Sequence, residues 1–144
     1  MLLLAMEFIY LFLISFAAAT IFPLGSEGLL LYDISIGLNI YLIVIFATLG
    51  NVLGSILNYW IGYKGEEYLE NKKTIKKEKI IKIKSYFDKY GGYSLLLSWV
   101  PIIGDPITVV AGVLKYNFKK FILIVLIAKF GRYLSISLAY LYFN

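Results

Sequence analysis

From Met1 to Phe22 the chain holds one charged residue, Glu7, and neither glycine nor proline. A run this apolar has few structural options. In hydrocarbon every backbone N–H and C=O must find a partner inside the protein, which leaves the α-helix or the closed barrel. Roughly 20 helical residues, rising 1.5 Å each, cross a bilayer core about 30 Å thick. Apolar sequence opens again at Gly28, relaxes around "YDISIGLN" and resumes through Ile40–Tyr63; it returns over 93–114 and 121–143. The chain is 60% hydrophobic with a mean hydropathy of +0.80, whereas soluble domains run about 45–50% apolar. These features define an all-α integral membrane protein, read as one membrane domain over 1–144.

Cysteine and histidine are both absent. Disulfides, thiolate or imidazole metal sites, histidine acid–base chemistry and the common nucleophilic triads are thereby excluded. No catalytic residue, metal or cofactor is expected, although hard oxygen ligands stay open, and the chain is not read as an enzyme. The formal charge of +5 does not indicate a nucleic-acid partner, because nine of the fourteen basic residues fall between Lys64 and Lys89. In a membrane chain such a cluster marks a cytoplasmic loop. The start "MLLLAMEFIY" lacks the basic n-region and cleavage site of a signal peptide.

Within that cluster Ile80, Ile83 and Phe87 are spaced three and four apart among lysines, which fits equally an amphipathic helix on the membrane surface and a solvated connector. The charge positions also constrain topology. If 93–114 crossed the bilayer, this cluster and the trio Lys115, Lys119 and Lys120 would lie on opposite sides, against the positive-inside bias. A segment that enters and returns keeps both on the cytoplasmic side. Its bend is expected at Pro101, Gly104 and Pro106, where helix is hardest to continue.

This break has a counterpart at Pro23 and Gly25. Pro23 precedes Glu27 by four residues, as Pro101 precedes Asp105. Further on, "ATLGNVLGSILNY" (47–59) lies over "AKFGRYLSISLAY" (128–140) with Ala47/Ala128, Gly50/Gly131, Leu53/Leu134, Leu57/Leu138 and Tyr59/Tyr140 in register. The first of these helices ends at the basic cluster and the second begins beside it, so the copies run in opposite directions. The expected architecture is an inverted repeat of re-entrant, broken helix plus transmembrane helices. Repeat 1 covers 1–63, a cytoplasmic amphipathic linker helix 64–90, and repeat 2 covers 91–144.

Four ionisable residues fall at membrane depth: Glu27 and Asp105 at the breaks, Lys129 and Arg132 one turn apart in the last helix. Lys129 stands ten or so residues from either helix end, ~15 Å from each face at 1.5 Å per residue. An unpaired charge there costs at least ~2.5–3.5 kcal/mol, so mutual pairing is expected. The quartet reads either as an electrostatic lock between two halves or as a pathway in which an acid takes up protons and the bases hold an anionic group; intramembrane charge favours the pathway. Gly50, Gly54, Gly62, Gly65 and Gly112 are expected at close helix packing or a cavity wall. Asn51 and Asn58 are expected to face the interior, Asp33 to sit in an outer loop, and Trp60 and the tyrosines near segment ends to anchor at interfaces.

"FPLGSEGLLL", "ATLGNVLGSILNYWIG", "FDKYGGYSLLLSWVPIIGDPITVVAG" and "FGRYL" together resemble the DedA family of VTT or SNARE-associated membrane proteins, closest to its short YqaA-like branch. The resemblance spans roughly 16–140. It implies opposed re-entrant helices, an inner (plasma) membrane location, homodimers, and movement of polyprenyl-phosphate carriers or phospholipids, sometimes tied to the proton gradient. The family's first-half acid maps onto Glu27, its re-entrant prolines onto Pro23 and Pro101, and its later Ala-Gly onto Ala111–Gly112. Two family arginines flanking the second proline are replaced by Ser98 and Gly104, while Asp105, Lys129 and Arg132 are as in the YqaA-like branch. The expected function is a transporter or flippase for an anionic lipid, with membrane lipids as partners. The alternatives are a membrane-organising scaffold and a passive lipid scramblase.

Overall fold

The computed structural model describes residues 1–20, 25–71, 77–100 and 104–144. Six α-helices follow in chain order: α1 (Leu2–Thr20), α2 (Ser26–Ser35), α3 (Ile40–Asn71), α4 (Lys77–Leu96), α5 (Gly104–Val113) and α6 (Phe118–Phe143), with a short 3-10 turn at Leu97–Trp99. Among the described residues there is no strand. Three helical stretches, Leu2–Thr20, Ile40–Tyr68 and Phe118–Phe143, are long and apolar enough to cross a membrane. α2 and α5, ten residues each, are only about 15 Å long at 1.5 Å per residue.

The charged stretch is not one separate linker helix. α3 runs on to Asn71 and α4 starts at Lys77, so its charges are divided between two helices. Phe87 packs edge-on against Tyr116, with ring centroids 5.3 Å apart; the side chains of Ile80 and Ile83 lie outside the described residues. The bends assigned to Pro23 and Pro101 lie outside them too. Pro106 does not break a helix: it occupies the first turn of α5, where a missing N–H costs nothing because those donors have no intrahelical acceptor. Gly25, the N-cap of α2, has φ 127°, a conformation that residues with a Cβ rarely adopt.

α2 and α5 are closed by the same device. After α2, the amides of Ile36, Gly37 and Leu38 donate to the carbonyls of Tyr32, Ile34 and Asp33. After α5, those of Leu114, Lys115 and Tyr116 donate to Val110, Gly112 and Ala111. Both are Schellman closures, which satisfy carbonyls that a helix end would leave bare. Each turns on one left-handed residue, Gly37 (φ 83°) or Lys115 (φ 52°). Next in each comes an asparagine cap: Asn39 Oδ1 accepts the amides of Tyr41 and Leu42, and Asn117 Oδ1 that of Lys120. From Glu27 and Asp105 to the asparagines, equivalent positions are a constant 78 residues apart. Carried into the long helices, this spacing matches fully buried Ile43 and Ala47 with fully buried Phe121 and Val125. The pairing of Ala47 with Ala128 slips by three residues from that register, and Gly131 meets nothing where Gly50 is tightly packed.

The helices form two compact units. The first comprises Met1–Gly54 and Lys129–Asn144. Its core joins Leu11 of α1, Leu30 and Ile34 of α2, Ile43, Val44 and Ala47 of α3, and Tyr133 of α6. Gly50 and Gly54 let α3 press against the backbone of Phe12 and Phe16 on α1. The second unit is Ser55–Ala128. There Gly62 meets the backbone of Val109, and Gly112 that of Tyr59, so α3 and α5 touch through glycines from both sides. Tyr59 is core rather than an interfacial anchor: it is 4% exposed, packs on Phe118 and Phe121, and donates to the Tyr116 carbonyl at 2.6 Å. Trp60 is exposed as an anchor would be, and Gly65 has open space around its Cα rather than a packing partner.

Gly50→Ala and Gly112→Ala should each destabilise by ~1–3 kcal/mol, because a Cβ there meets neighbouring backbone that cannot yield. Gly131→Ala should be neutral or stabilise by up to ~1 kcal/mol through helix propensity. Thermal unfolding of the purified variants in detergent distinguishes the two outcomes.

Candidate functional site

In the first unit the polar side chains gather where α2 begins. Gly25 starts the helix, and its first two residues present Ser26, 1% exposed, and Glu27. Glu27 pairs with Arg132 of α6; their side chains are 26% and 7% exposed. Beside this pair, Tyr133 is fully buried, and its hydroxyl donates to Ser26 Oγ at 3.0 Å and accepts from Asn51 Nδ2 at 3.0 Å. Asn51 Nδ2 also donates to the Ser15 carbonyl at 3.1 Å. One hydrogen-bonded chain therefore links α1, α3, α6 and α2 through groups that would each cost free energy if left bare in an apolar interior. Lys129 lies one turn before Arg132 and is fully buried.

In the second unit Asp105 occupies the first turn of α5, as Glu27 does in α2. Its carbonyl accepts from Thr108 Oγ1 at 2.6 Å, and that hydroxyl accepts from Asn58 Nδ2 at 3.2 Å. Gly104 brings the start of α5 against the Ser98 backbone, where no Cβ would fit. Nearer the charged ends of the helices, Lys115 pairs with Glu66 at 2.7 Å and sits 5.2 Å from the Tyr63 ring centroid. That contact holds Lys115, a non-glycine residue with positive φ, in its turn.

Of the residues singled out in the sequence, Glu27, Asn51 and Arg132 are brought together in the first unit, which also buries Lys129 and contains Gly25, Gly50 and Gly54. Asn58, Gly104, Asp105, Pro106 and Gly112 belong to the second. Sequence reasoning missed Tyr133, Ser26, Ser15 and Thr108, which carry the hydrogen bonds. It also misplaced Asp33, which lies not in a loop but fully buried in the last turns of α2. Among the described residues no group of three or more histidine, cysteine, aspartate and glutamate side chains is placed to hold a metal ion.

A chain with three membrane-capable helices and charges buried within them belongs to the multi-pass membrane proteins. Comparison with known proteins gives the family: the VTT domain matches residues 2–141, and the chain is a member of this DedA family. It is 30% identical over 136 residues to "Inner membrane protein YqaA" of Escherichia coli, covering 94% of this chain and 92% of that one. An uncharacterized protein of Haemophilus influenzae is 29% identical over 135 residues, or 88% and 83% of the two chains. "Undecaprenyl phosphate transporter A" of Bacillus subtilis is 30% identical over 90 residues, 59% of this chain and 46% of that one. No solved structure matches the chain.

Glu27→Gln removes the carboxylate facing the buried Arg132. It should cost about 2–3 kcal/mol, below the ~3–5 kcal/mol of a fully buried pair because Glu27 keeps some exposure. The double variant Glu27→Gln/Arg132→Gln should recover at least half of that loss, as followed by thermal unfolding in detergent.

Proposed function

We propose that this protein moves an anionic lipid across the inner membrane, with protons coupled to the movement. The observation that carries the reading is the pairing of Glu27 with Arg132 beside a fully buried Lys129, on a helix long enough to span the bilayer. Fixed positive charge in an apolar interior is costly and marks substrate or ion paths. The name of the Bacillus subtilis relative, a transporter of a lipid phosphate, supports an anionic headgroup as cargo. A phosphate oxygen can replace the Glu27 carboxylate on Arg132 without leaving the guanidinium unpaired, so cargo exchange proceeds between two neutralised states.

In this reading α2 and α5 are the return arms of two re-entrant segments, the basic stretch 64–90 faces the cytoplasm, and the repeated elements run in opposite senses. Their matching closures and constant spacing support the repeat. Glu27, Lys129 and Arg132 then line a pathway in the first unit, with Asn51 as a neutral hydrogen-bonding group beside them, and Asp105 and Asn58 are the corresponding polar groups of the second. Non-helical backbone at such depth is tolerated where protein or a water-filled cavity covers it. A homodimer is the proposed assembly.

The test is reconstitution into liposomes with fluorescent phosphatidylglycerol, with a long-chain polyprenyl phosphate as competitor, with and without a pH gradient. Wild type should move the probe, slowed by the competitor and accelerated by the gradient. Lys129→Gln and Arg132→Gln should each reduce the rate at least tenfold, the loss of a charge-assisted contact of about 1.4 kcal/mol or more. Unchanged rates in both variants would reject the pathway. Movement indifferent to the gradient would identify a passive scramblase, and no movement a scaffold.

A further inference from the structure

Asp33 is an isolated carboxyl in the core of the first unit. The buried residues of α2 are Ser26, Leu30, Asp33 and Ile34, a single stripe facing the apolar cluster of Leu11, Ile43, Val44 and Ala47. Asp33 is 0% exposed, and neither of its carboxyl oxygens has a hydrogen-bond partner. An ionised carboxylate in such a place carries a penalty that proteins relieve by pairing or by protonation. Pairing is not the answer here. Among the described ion pairs none includes Asp33: Arg132 of the same unit is engaged by Glu27, and the charge that acts on Asp33 is the half-buried Glu7 of α1, of the same sign. From α6, the Tyr133 hydroxyl is committed to Ser26 and Asn51, while Tyr140 packs against the same cluster as a neutral ring. The first unit's part of α3 has no acidic or basic side chain.

The fold does not require a carboxyl at this position. Asp33 gives its backbone carbonyl to the closure of α2, and the residue doing the same for α5 is Ala111, also fully buried. An apolar residue therefore serves where the local structure recurs, and the acid must be explained by something other than the turn. Glu27, by contrast, has a cation to neutralise it.

We propose that Asp33 is the proton-binding carboxyl of this protein. This rests on the lipid-moving, proton-coupled reading above and assigns its proton to a residue outside the Glu27–Arg132 pair. Protonation leaves one neutral acid in the apolar stripe; deprotonation leaves two like charges close together, a state that favours rearrangement of α2 against α1. Burial, reinforced by the Glu7 charge, pushes Asp33 up from 3.8 to about 6. Its folded-state value being raised, its contribution to stability is fully present below pH 3.8 and is lost as pH rises through about 6.

The experiment is an infrared pH titration of the full-length protein in lipid nanodiscs, paired with the liposome assay. In wild type a protonated-carboxyl band should disappear as pH rises through about 6. Asp33→Asn should lack that band, and Asp33→Ala should fold as Ala111 does and lack it as well. Glu7→Gln should move the midpoint to lower pH, and Glu27→Gln should leave it in place. In liposomes Asp33→Asn should abolish the dependence of lipid movement on pH while retaining movement itself. A wild-type band that persists in Asp33→Asn, a midpoint that follows sodium rather than pH, or an unaltered pH profile of movement in Asp33→Asn would overturn the proposal. If wild type moves no lipid at all, the transport reading fails while the infrared titration still decides whether Asp33 binds the proton.

Discussion

The hydroxyl of Tyr133 is the interaction on which the first unit depends. A phenol buried without partners would carry a desolvation cost of a kcal/mol or more. Here it joins Ser26 to Asn51, and Asn51 joins the Ser15 carbonyl, so four helices meet at one set of mutually satisfied groups. The position of Glu27 follows from this, because Ser26 precedes it and fixes the first turn of α2. Arg132 follows too, as the neighbour of Tyr133 on α6. The ion pair is thus placed by neutral hydrogen bonds rather than by its own attraction, which has no directional control comparable to a phenol held at both lone pair and proton.

Backbone satisfaction governs the other structural feature. α2 and α5 are too short to cross a membrane and have termini near apolar surroundings, where bare carbonyls would be expensive. Both are closed internally, by Schellman hydrogen bonds and an asparagine cap on the helix that follows. Each turn uses main-chain groups and one side-chain amide, and in the second the Lys115 side chain is held by Glu66 and Tyr63 as well.

Much of this organisation is legible in the sequence because membranes impose coarse rules. Helix α6 ends where the apolar stretch 121–143 ends and begins three residues before it, at Phe118, so that Lys119 and Lys120 lie in its first turn. Glu27 and Asp105, each four residues after a proline, both fall in the first turn of a short helix, and Gly37 announces its turn. Its counterpart could not be recognised: Lys115 is a poor left-handed residue, retained through Glu66 and Tyr63, contacts that no local pattern encodes. For the same reason residue identity alone pairs Ala47 with Ala128, whose apolar surroundings fit many registers, whereas the matching hydrogen bonds after α2 and α5 give a different spacing. The segment around Asp33 is mixed in polarity, as a loop would be, and only the packing of α2 shows its side chain turned inward. Tyr133 and Ser15 carry no sequence signal beyond being polar residues in apolar helices.

The recurring turn also has an evolutionary consequence. A closure built from main-chain amides makes little demand on residue type outside its one left-handed position, so the two copies of it can drift apart in chemistry without losing shape. Asp33 and Ala111 occupy the same place in that closure and differ as much as two small residues can. The architecture therefore holds a spare position: one copy preserves the geometry with an inert methyl group, and the other is at liberty to acquire a reactive side chain. New specificities in proteins of this kind can arise at such matched sites by a single substitution, with the untouched copy as a template of what the fold itself needs.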